Sequence, residues 1–351
     1  ALALAAVNAT TRAPEPVPVT DAVDRLSLRE LAGQRIIVGY GGADMPASLR
    51  ARVRSGAVGG VIVFDRNIPS RRHLRSQLRR LQRTAHPLDA PLLTMVDQEG
   101  GLVKRLSGPP AASPARMGDR GTAYVGREGR ATAANLRAVA LNVNLAPVAD
   151  LGLPGSYQRA TGRAFGDRAA PVSALVRAFA TGLQAGGVAA TLKHFPGLGR
   201  VSGDEDARVQ TVRVGAVTLR HQDEAPCRAG IRGGARMVMT STARYPALDG
   251  RRPALLSRTI TTGELRGRLG FGGVVITDDL DVPALRPYGR AGRLAIDATV
   301  AGNDLLLYCQ SATSADEALD ATVRAVGDGR LSRDRLEASV RRILALRTAL
   351  P

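Results

Sequence analysis

Several short apolar runs in this sequence lead into groups that can do acid–base or hydrogen-bonding chemistry. Gly60–Phe64 is followed by Asp65, Arg66 and Asn67, and Leu92–Val96 by Asp97, Gln98 and Glu99. Asn142–Ala146 leads on to Asp150, Ala189–Leu192 runs into Lys193 and His194, and Gly273–Thr277 runs into Asp278 and Asp279. A separate acidic stretch reads Asp204-Glu205-Asp206. A carboxylate accepts two hydroxyl hydrogen bonds at once, and Arg and Lys donate to hydroxyl oxygens. Carboxylates, one Lys, one His and several Arg in one place would therefore suit a polyhydroxylated substrate. For any single residue the alternative is a charge that merely pairs with a neighbour, and for the acidic stretch it is a solvated loop. Lys193 is distinctive, because the chain has only two lysines, Lys104 and Lys193, among 49 basic residues. A compact ammonium is required where a planar guanidinium would not fit.

These groups need a frame that brings them together. Eight short apolar runs recur: 35–38, 60–64, 92–96, 142–146, 189–193, 236–240, 273–277 and 304–308. They are β-branched or Leu-rich with little alternation, as strands buried on both faces are. Stretches with helical periodicity lie between them, among them 70–85, 132–141, 171–185, 283–301 and 332–349. Alternating strands and helices of this number predict an α/β fold, a TIM-like (β/α)8 barrel in a single domain over 25–351. A doubly wound open sheet is the competitor, but neither Gly-x-Gly-x-x-Gly nor a phosphate-binding Gly-Lys-Ser/Thr loop is present. In a barrel, function sits at the C-terminal ends of the strands, which is where the polar residues fall.

Composition narrows the class further. The 351 residues suffice for one large core, the aromatic content is 3%, and no run of about 18 apolar residues occurs. The net charge of +18 would ordinarily suggest nucleic acid, but the arginines are scattered and no basic run is interleaved with aromatics. No nucleic-acid partner is expected, while loose attraction to anionic cell-wall polymers is. Two cysteines, Cys227 and Cys309, exclude a disulfide scaffold and allow either one bridge or two buried thiols. No cluster at metal-ligand spacing and no His-Glu-x-x-His occurs, so neither a metal nor an organic cofactor is implied. Ala1 to Ala9 resembles the end of a signal peptide's apolar region, and a Thr-, Pro- and Ala-rich stretch follows. Residues 1–24 are read as a signal remnant and flexible tether, and the protein as secreted or a membrane-tethered lipoprotein.

Three segments carry a family resemblance: Val96-Asp-Gln-Glu-Gly-Gly-Leu-Val-Lys-Arg105, Leu192-Lys-His-Phe-Pro-Gly197 and Gly273-Val-Val-Ile-Thr-Asp-Asp-Leu280. Supporting segments are 65–68, 144–150, 163–166, 245–249 and 301–305, in order, so that the likeness covers roughly 26 to 350. The chain resembles glycoside hydrolase family 3, and within it the single-domain bacterial β-N-acetylglucosaminidases. The resemblance implies a TIM-like barrel. It implies Asp278 as the nucleophile that forms a glycosyl-enzyme, with net retention. It also implies that Asp97, Arg105, Arg163, Lys193 and His194 hold the terminal sugar. The expected reaction is release of terminal β-linked N-acetylglucosamine from peptidoglycan fragments or related glycosides, by a monomer.

The pattern breaks where the family carries its general acid/base. The usual Lys-His-Phe-Pro-Gly-His-Gly, followed by Asp-x-His, reads here with Leu198 for the first His, Asp204 for the Asp and Asp206 for the catalytic His. Ser241-Thr242-Ala243 also lacks a His often seen after the sixth strand. Three readings follow. Asp206, or its neighbour Asp204 or Glu205, is the acid/base, which requires a raised pKa. Or His221 supplies the proton. Or the barrel binds sugar and hydrolyses it poorly. A β-glucosidase is the remaining alternative among enzymes.

Overall fold

The computed structural model describes residues 19–351. Eight strands close into a barrel: β1 (Ile36–Val38), β2 (Gly60–Val63), β3 (Leu93–Val96), β4 (Val143–Asn144), β5 (Ala189–Phe195), β6 (Met237–Thr240), β7 (Val274–Asp279) and β8 (Leu305–Tyr308). Their order round the barrel is β1-β8-β7-β6-β5-β4-β3-β2, and every neighbouring pair is parallel. Both faces of these strands are buried. Ile37, Ile62, Met95, Val143, Met239 and Leu307 fill the barrel interior, while Ile36, Val38, Val61 and Val63 pack outward beneath the helices. That double burial explains runs without alternation.

The surrounding helices are α1 (Ala47–Arg54), α2 (Arg71–Gln82), α3 (Gly121–Arg137), α4 (Ala169–Ala185), α5 (Ala225–Arg232), a π-helical α6 (Thr259–Arg268), α7 (Ala291–Ala301), α8 (Ala312–Gly327) and α9 (Arg333–Thr348). In α2 the side chain of Ser70 caps the first turn through the N–H of His73, and Leu74, Leu78 and Leu81 form the buried stripe. Two expected helices differ. The helix expected at 132–141 starts at Gly121 and ends at Arg137, because Ala140 turns to φ 64° ahead of β4. Gly129 lies inside that helix because a Cβ there would meet the Phe179 carbonyl of α4 at 2.5 Å. The stretch expected as one helix over 283–301 is split at Gly289 into a 3₁₀ segment (Pro283–Tyr288) and α7, since Pro287 has no N–H to continue the ladder.

The lower end of the barrel is plugged by Ile343, Leu346 and Leu350. The buried guanidinium of Arg347 fixes α9 there by donating to the Ala90 and Pro91 carbonyls and to Gln34 Oε1. The barrel is therefore closed at the N-terminal ends of its strands. Of the expected tether, residues 1–18 lie outside the described residues, as does the signal-like stretch. Val19–Asp24 form a short helix with Val23 buried and Asp24 paired to Arg341 of α9. Cys227 and Cys309 are both free and buried. No described helix is long and apolar enough to cross a membrane.

Candidate active site

A cavity of ≈ 420 Å³ opens at the C-terminal end of the barrel, and Ile62, Leu145, Met239 and Leu307 close its base. Asp97, Arg105, Arg163, Lys193, His194, Asp204, Asp206 and Asp278 all line it. The structure thus brings every expected site residue to one pocket. Those apolar side chains make it a blind pocket, open at the mouth of the barrel.

One wall is a desolvated ion network. Lys193 Nζ, at the end of β5, lies 2.7 Å from Asp97 Oδ1 and 2.7 Å from Glu99 Oε1. Arg163 donates to both oxygens of Glu99, at 2.9 and 2.8 Å. Glu99 is 2% exposed, so burial alone would raise its pKa, but Lys193 and Arg163 outweigh burial and hold it at about 2. Burial works against the ammonium of Lys193 too, and Asp97 and Glu99 more than compensate, raising its pKa. Gln98, between them, does not line the cavity. Its amide donates to the Leu106 and Pro109 carbonyls and accepts from the N–H groups of Arg105 and Leu106, which folds the hairpin that delivers Arg105 to the rim.

This network has a measurable consequence. Glu99 is ionised at neutral pH, and its folded pKa lies below its ordinary 4.5. Its contribution to stability is present above about 4.5 and is lost as pH falls toward 2. At about 1.4 kcal/mol per pKa unit, roughly 3 kcal/mol is at stake. Glu99→Gln should therefore flatten the acid limb of a Tm-against-pH curve while lowering Tm at neutral pH. A variant whose acid limb coincides with that of the wild type would show that Glu99 carries no such linkage.

The second wall is built on Asp150. One of its oxygens accepts the N–H groups of His194 and Leu198, and the other lies 2.7 Å from His194 Nδ1 and accepts from the Gln158 amide. His194 Nε2 is thereby aimed into the pocket, 3.9 Å from Glu205 Oε1. Burial pushes the imidazole down, but Asp150, followed by Glu205 and Asp278, raises it to about 9. At neutral pH His194 is an imidazolium that donates from both nitrogens. Among the described residues, His194, Glu205 and Asp278 are the one group of three whose ligand atoms all lie within 4.8 Å, which is the place a metal ion could occupy. The protonated imidazole opposes metal binding there.

The two carboxylates at the end of β7 differ. Asp278 is half-buried and faces His194 and Glu205. Asp279 uses its Oδ1 to accept the N–H groups of Asp281 and Cys309, and burial raises it to about 6.

The acidic stretch follows β5 on a loop that two glycines allow. Gly197 adopts φ 129°, and a Cβ on Gly199 would meet the Leu151 carbonyl at 2.2 Å. Leu198, at the first departure from the family pattern, is buried and contributes its backbone N–H to Asp150. Glu205 turns inward, while Asp204 and Asp206 remain exposed at the rim. Asp206 is raised to about 8, through desolvation in the crowded mouth and through the charges of Asp278, Glu205, Asp204 and Asp279. Because the outer side of Asp206 meets solvent, the charge crowding is the stronger ground for that shift.

Some expectations need correction. Arg66 and Asn67 are structural: both donate to the Tyr40 carbonyl, and Arg66 donates also to that of Cys309. His221 lies in an outer groove with Arg177 and Arg228, so the reading that it delivers the proton is withdrawn. Glu99 and Asp150 were legible only as polar strand ends, and nothing local marked them as the groups that hold Lys193, Arg163 and His194.

The chain matches the description "Glycosyl hydrolase family 3 N terminal domain" over residues 27–346. It is 37% identical over 288 residues to a beta-hexosaminidase of Xylella fastidiosa, covering 78% of this chain and 83% of that protein. It is 36% identical over 333 residues to a secreted glycosyl hydrolase of Arthroderma benhamiae, covering 93% and 94%. Among solved structures it superposes on a family 3 beta-N-acetylglucosaminidase from Paenibacillus with a TM-score of 0.88 and 34% identity, covering 92% of this chain and 62% of that one. The beta-N-acetylhexosaminidase of Beutenbergia cavernae gives 0.85 and 31%, covering 92% and 98%.

Proposed function

Because this chain belongs to glycosyl hydrolase family 3 and is a glycoside hydrolase, we propose that it removes terminal β-linked N-acetylglucosamine by a retaining mechanism. The observation that carries the reading is the pairing of Asp278 with Asp206 in a blind pocket walled by Asp97, Lys193 and Arg163. The beta-hexosaminidase relatives support the acetamido sugar. Lys193, Arg163, Arg105 and His194 donate to the sugar hydroxyls and Asp97 accepts from them.

In the first step an Asp278 oxygen bonds to the anomeric carbon as the glycosidic bond breaks, and Asp206 gives its proton to the leaving oxygen. In the second, Asp206 takes a proton from water, which attacks the same carbon and releases Asp278. The charge crowding suits both roles. While Asp278 is anionic it helps keep Asp206 protonated. Once Asp278 is an ester that charge is gone, and Asp206 is left as the base.

Hydrolysis rather than phosphorolysis fits the acidic stretch Asp204-Glu205-Asp206 beside the pocket, which would repel a phosphate acceptor. The substrates proposed are peptidoglycan fragments or related glycosides, and an extracytoplasmic location is supported by the secreted relative. The test is release of nitrophenol from the β-N-acetylglucosaminide and the β-glucoside, with the first product anomer read by NMR. Preference for the acetamido sugar, a β product and a rate indifferent to inorganic phosphate are expected. A faster glucoside would favour a β-glucosidase. Acceleration by phosphate would overturn the choice of acceptor, and binding without turnover would make the barrel a sugar-binding protein.

A further inference from the structure

We infer that Glu205 is a positioning residue whose buried carboxylate fastens the acidic loop to the end of β6 and so holds Asp206 over Asp278. The inference rests on the reading of Asp206 as acid/base. The three adjacent acidic residues have different surroundings. Glu205 is 5% exposed, and a single oxygen, Oε2, accepts from Ser241 Oγ at 2.8 Å, the Thr242 N–H at 3.0 Å and Thr242 Oγ1 at 2.7 Å. Ser241 and Thr242 are fully buried, and the Ser241 N–H donates to the Phe195 carbonyl of β5. The clamp therefore ends on the barrel itself. A carboxylate this deep is costly unless donors surround it, and here three do.

The neighbours have no comparable hold. Asp204 and Asp206 are exposed, and the Asp206 N–H donates to Asp204 Oδ1. The Asp206 carbonyl accepts the Ala284 N–H at 3.1 Å, which ties the loop to the segment after β7. Farther on, the Arg244 N–H donates to the Gln210 carbonyl and the Val212 N–H to the Arg244 carbonyl. Between those backbone ties and Gly199, Arg200 fastens the start of the loop to Asp223 and Gln222, and Glu205 is the side chain of the acidic stretch that turns down into the barrel mouth. The two segments that depart from the family pattern, 204–206 and 241–243, meet at this contact.

The test compares Glu205→Ala, Glu205→Gln and the pair Ser241→Ala/Thr242→Val, with kcat, KM and pH–rate profiles on the nitrophenyl β-N-acetylglucosaminide. The groups facing Asp206 are Asp204 and Glu205 on its own loop, Asp278 and Asp279 from β7, and the Tyr157 hydroxyl across the pocket. Glu205→Ala should lower kcat by about 10- to 100-fold, part of a typical general-acid contribution. KM should stay within about twofold, because Asp97, Lys193 and Arg163 are untouched. The alkaline limb should move to lower pH as Asp206 leaves the carboxylate cluster. Glu205→Gln removes the charge but keeps an acceptor, and should recover most of kcat. The Ser241/Thr242 pair keeps the charge and loosens the clamp, and should reproduce the loss without adding to that of Glu205→Ala.

An unchanged alkaline limb and kcat in Glu205→Ala would overturn the inference. So would azide rescue of that variant, which would make Glu205 itself the acid/base. A Glu205→Ala protein that does not fold leaves the Ser241/Thr242 pair as the test. An inactive wild type would refute the proposed function, and the clamp would still be read by hydrogen exchange. Faster exchange across 200–210 in the variants would support the clamp, and unchanged exchange would refute it.

Discussion

Asp278→Ala lowers kcat on the β-N-acetylglucosaminide by at least about 10⁴-fold and leaves affinity for free N-acetylglucosamine within a few-fold. The first half follows from the chemistry. Without a carboxylate at the end of β7 no glycosyl-enzyme forms, and a loss of that size corresponds to about 5.5 kcal/mol of transition-state stabilisation. The second half follows from the geometry. The wall of Lys193, Asp97, Glu99 and Arg163 closes on itself without Asp278, so the contacts proposed to hold the sugar survive. Steady-state kinetics and calorimetry with N-acetylglucosamine check the two halves separately. A variant that keeps more than a tenth of the wild-type rate would place the nucleophile elsewhere, with Asp279 the first alternative. Mass spectrometry of the protein trapped with a fluorinated glycosyl donor should locate the adduct on Asp278.

Asp206→Ala has the second largest expected effect and a different signature. A general acid contributes about 10²- to 10⁴-fold, so turnover of substrates with poor leaving groups should fall by that amount. Azide, which needs no proton removed, should restore turnover of an activated substrate and yield the β-glycosyl azide. The pH dependence has a definite sign. An acid must carry its proton, and Asp206 does so below about 8. Wild-type kcat should therefore decline as pH rises through that value, and the alkaline decline should vanish in Asp206→Ala. Stability follows the same linkage. A carboxyl with a raised folded pKa favours the folded state at low pH, and this contribution is lost as pH rises from about 4 toward 8. Asp206→Asn should therefore raise Tm more at pH 8 than at pH 4. An azide-insensitive variant with an unchanged alkaline limb would show that the proton comes from elsewhere, and Glu205 would be the next residue to test.

The barrel was legible in the sequence because double burial leaves a strong local signature. Runs such as 273–277 are continuously apolar whichever way the strand faces, and eight of them separated by helical stretches leave few architectures open. The mouth was legible for a related reason. Strand ends are fixed by where an apolar run stops, so Asp97, Lys193 and Asp278 could be placed on one rim from spacing and family likeness alone. The helix breaks were less visible, since Pro287 and Gly289 act on backbone geometry within a stretch whose apolar spacing still reads as one helix.

Side-chain direction beyond the strand ends was not legible. Arg163 reaches Glu99 across 64 residues of sequence, and Glu205 reaches Ser241 across 36. Nothing in Asp204-Glu205-Asp206 as a string distinguishes the residue that turns inward from those left at the rim. The distinction arises because Ser241 and Thr242 present donors at the end of β6, where Glu205 meets them. Likewise Asp150 becomes the partner of His194 only once β4 and β5 lie side by side. By itself the sequence determined which residue types stand at the barrel mouth, because burial and chain direction act locally. Tertiary structure alone decided which of them pair, which are desolvated and which keep a proton, because those properties depend on charges and donors brought close from distant parts of the chain.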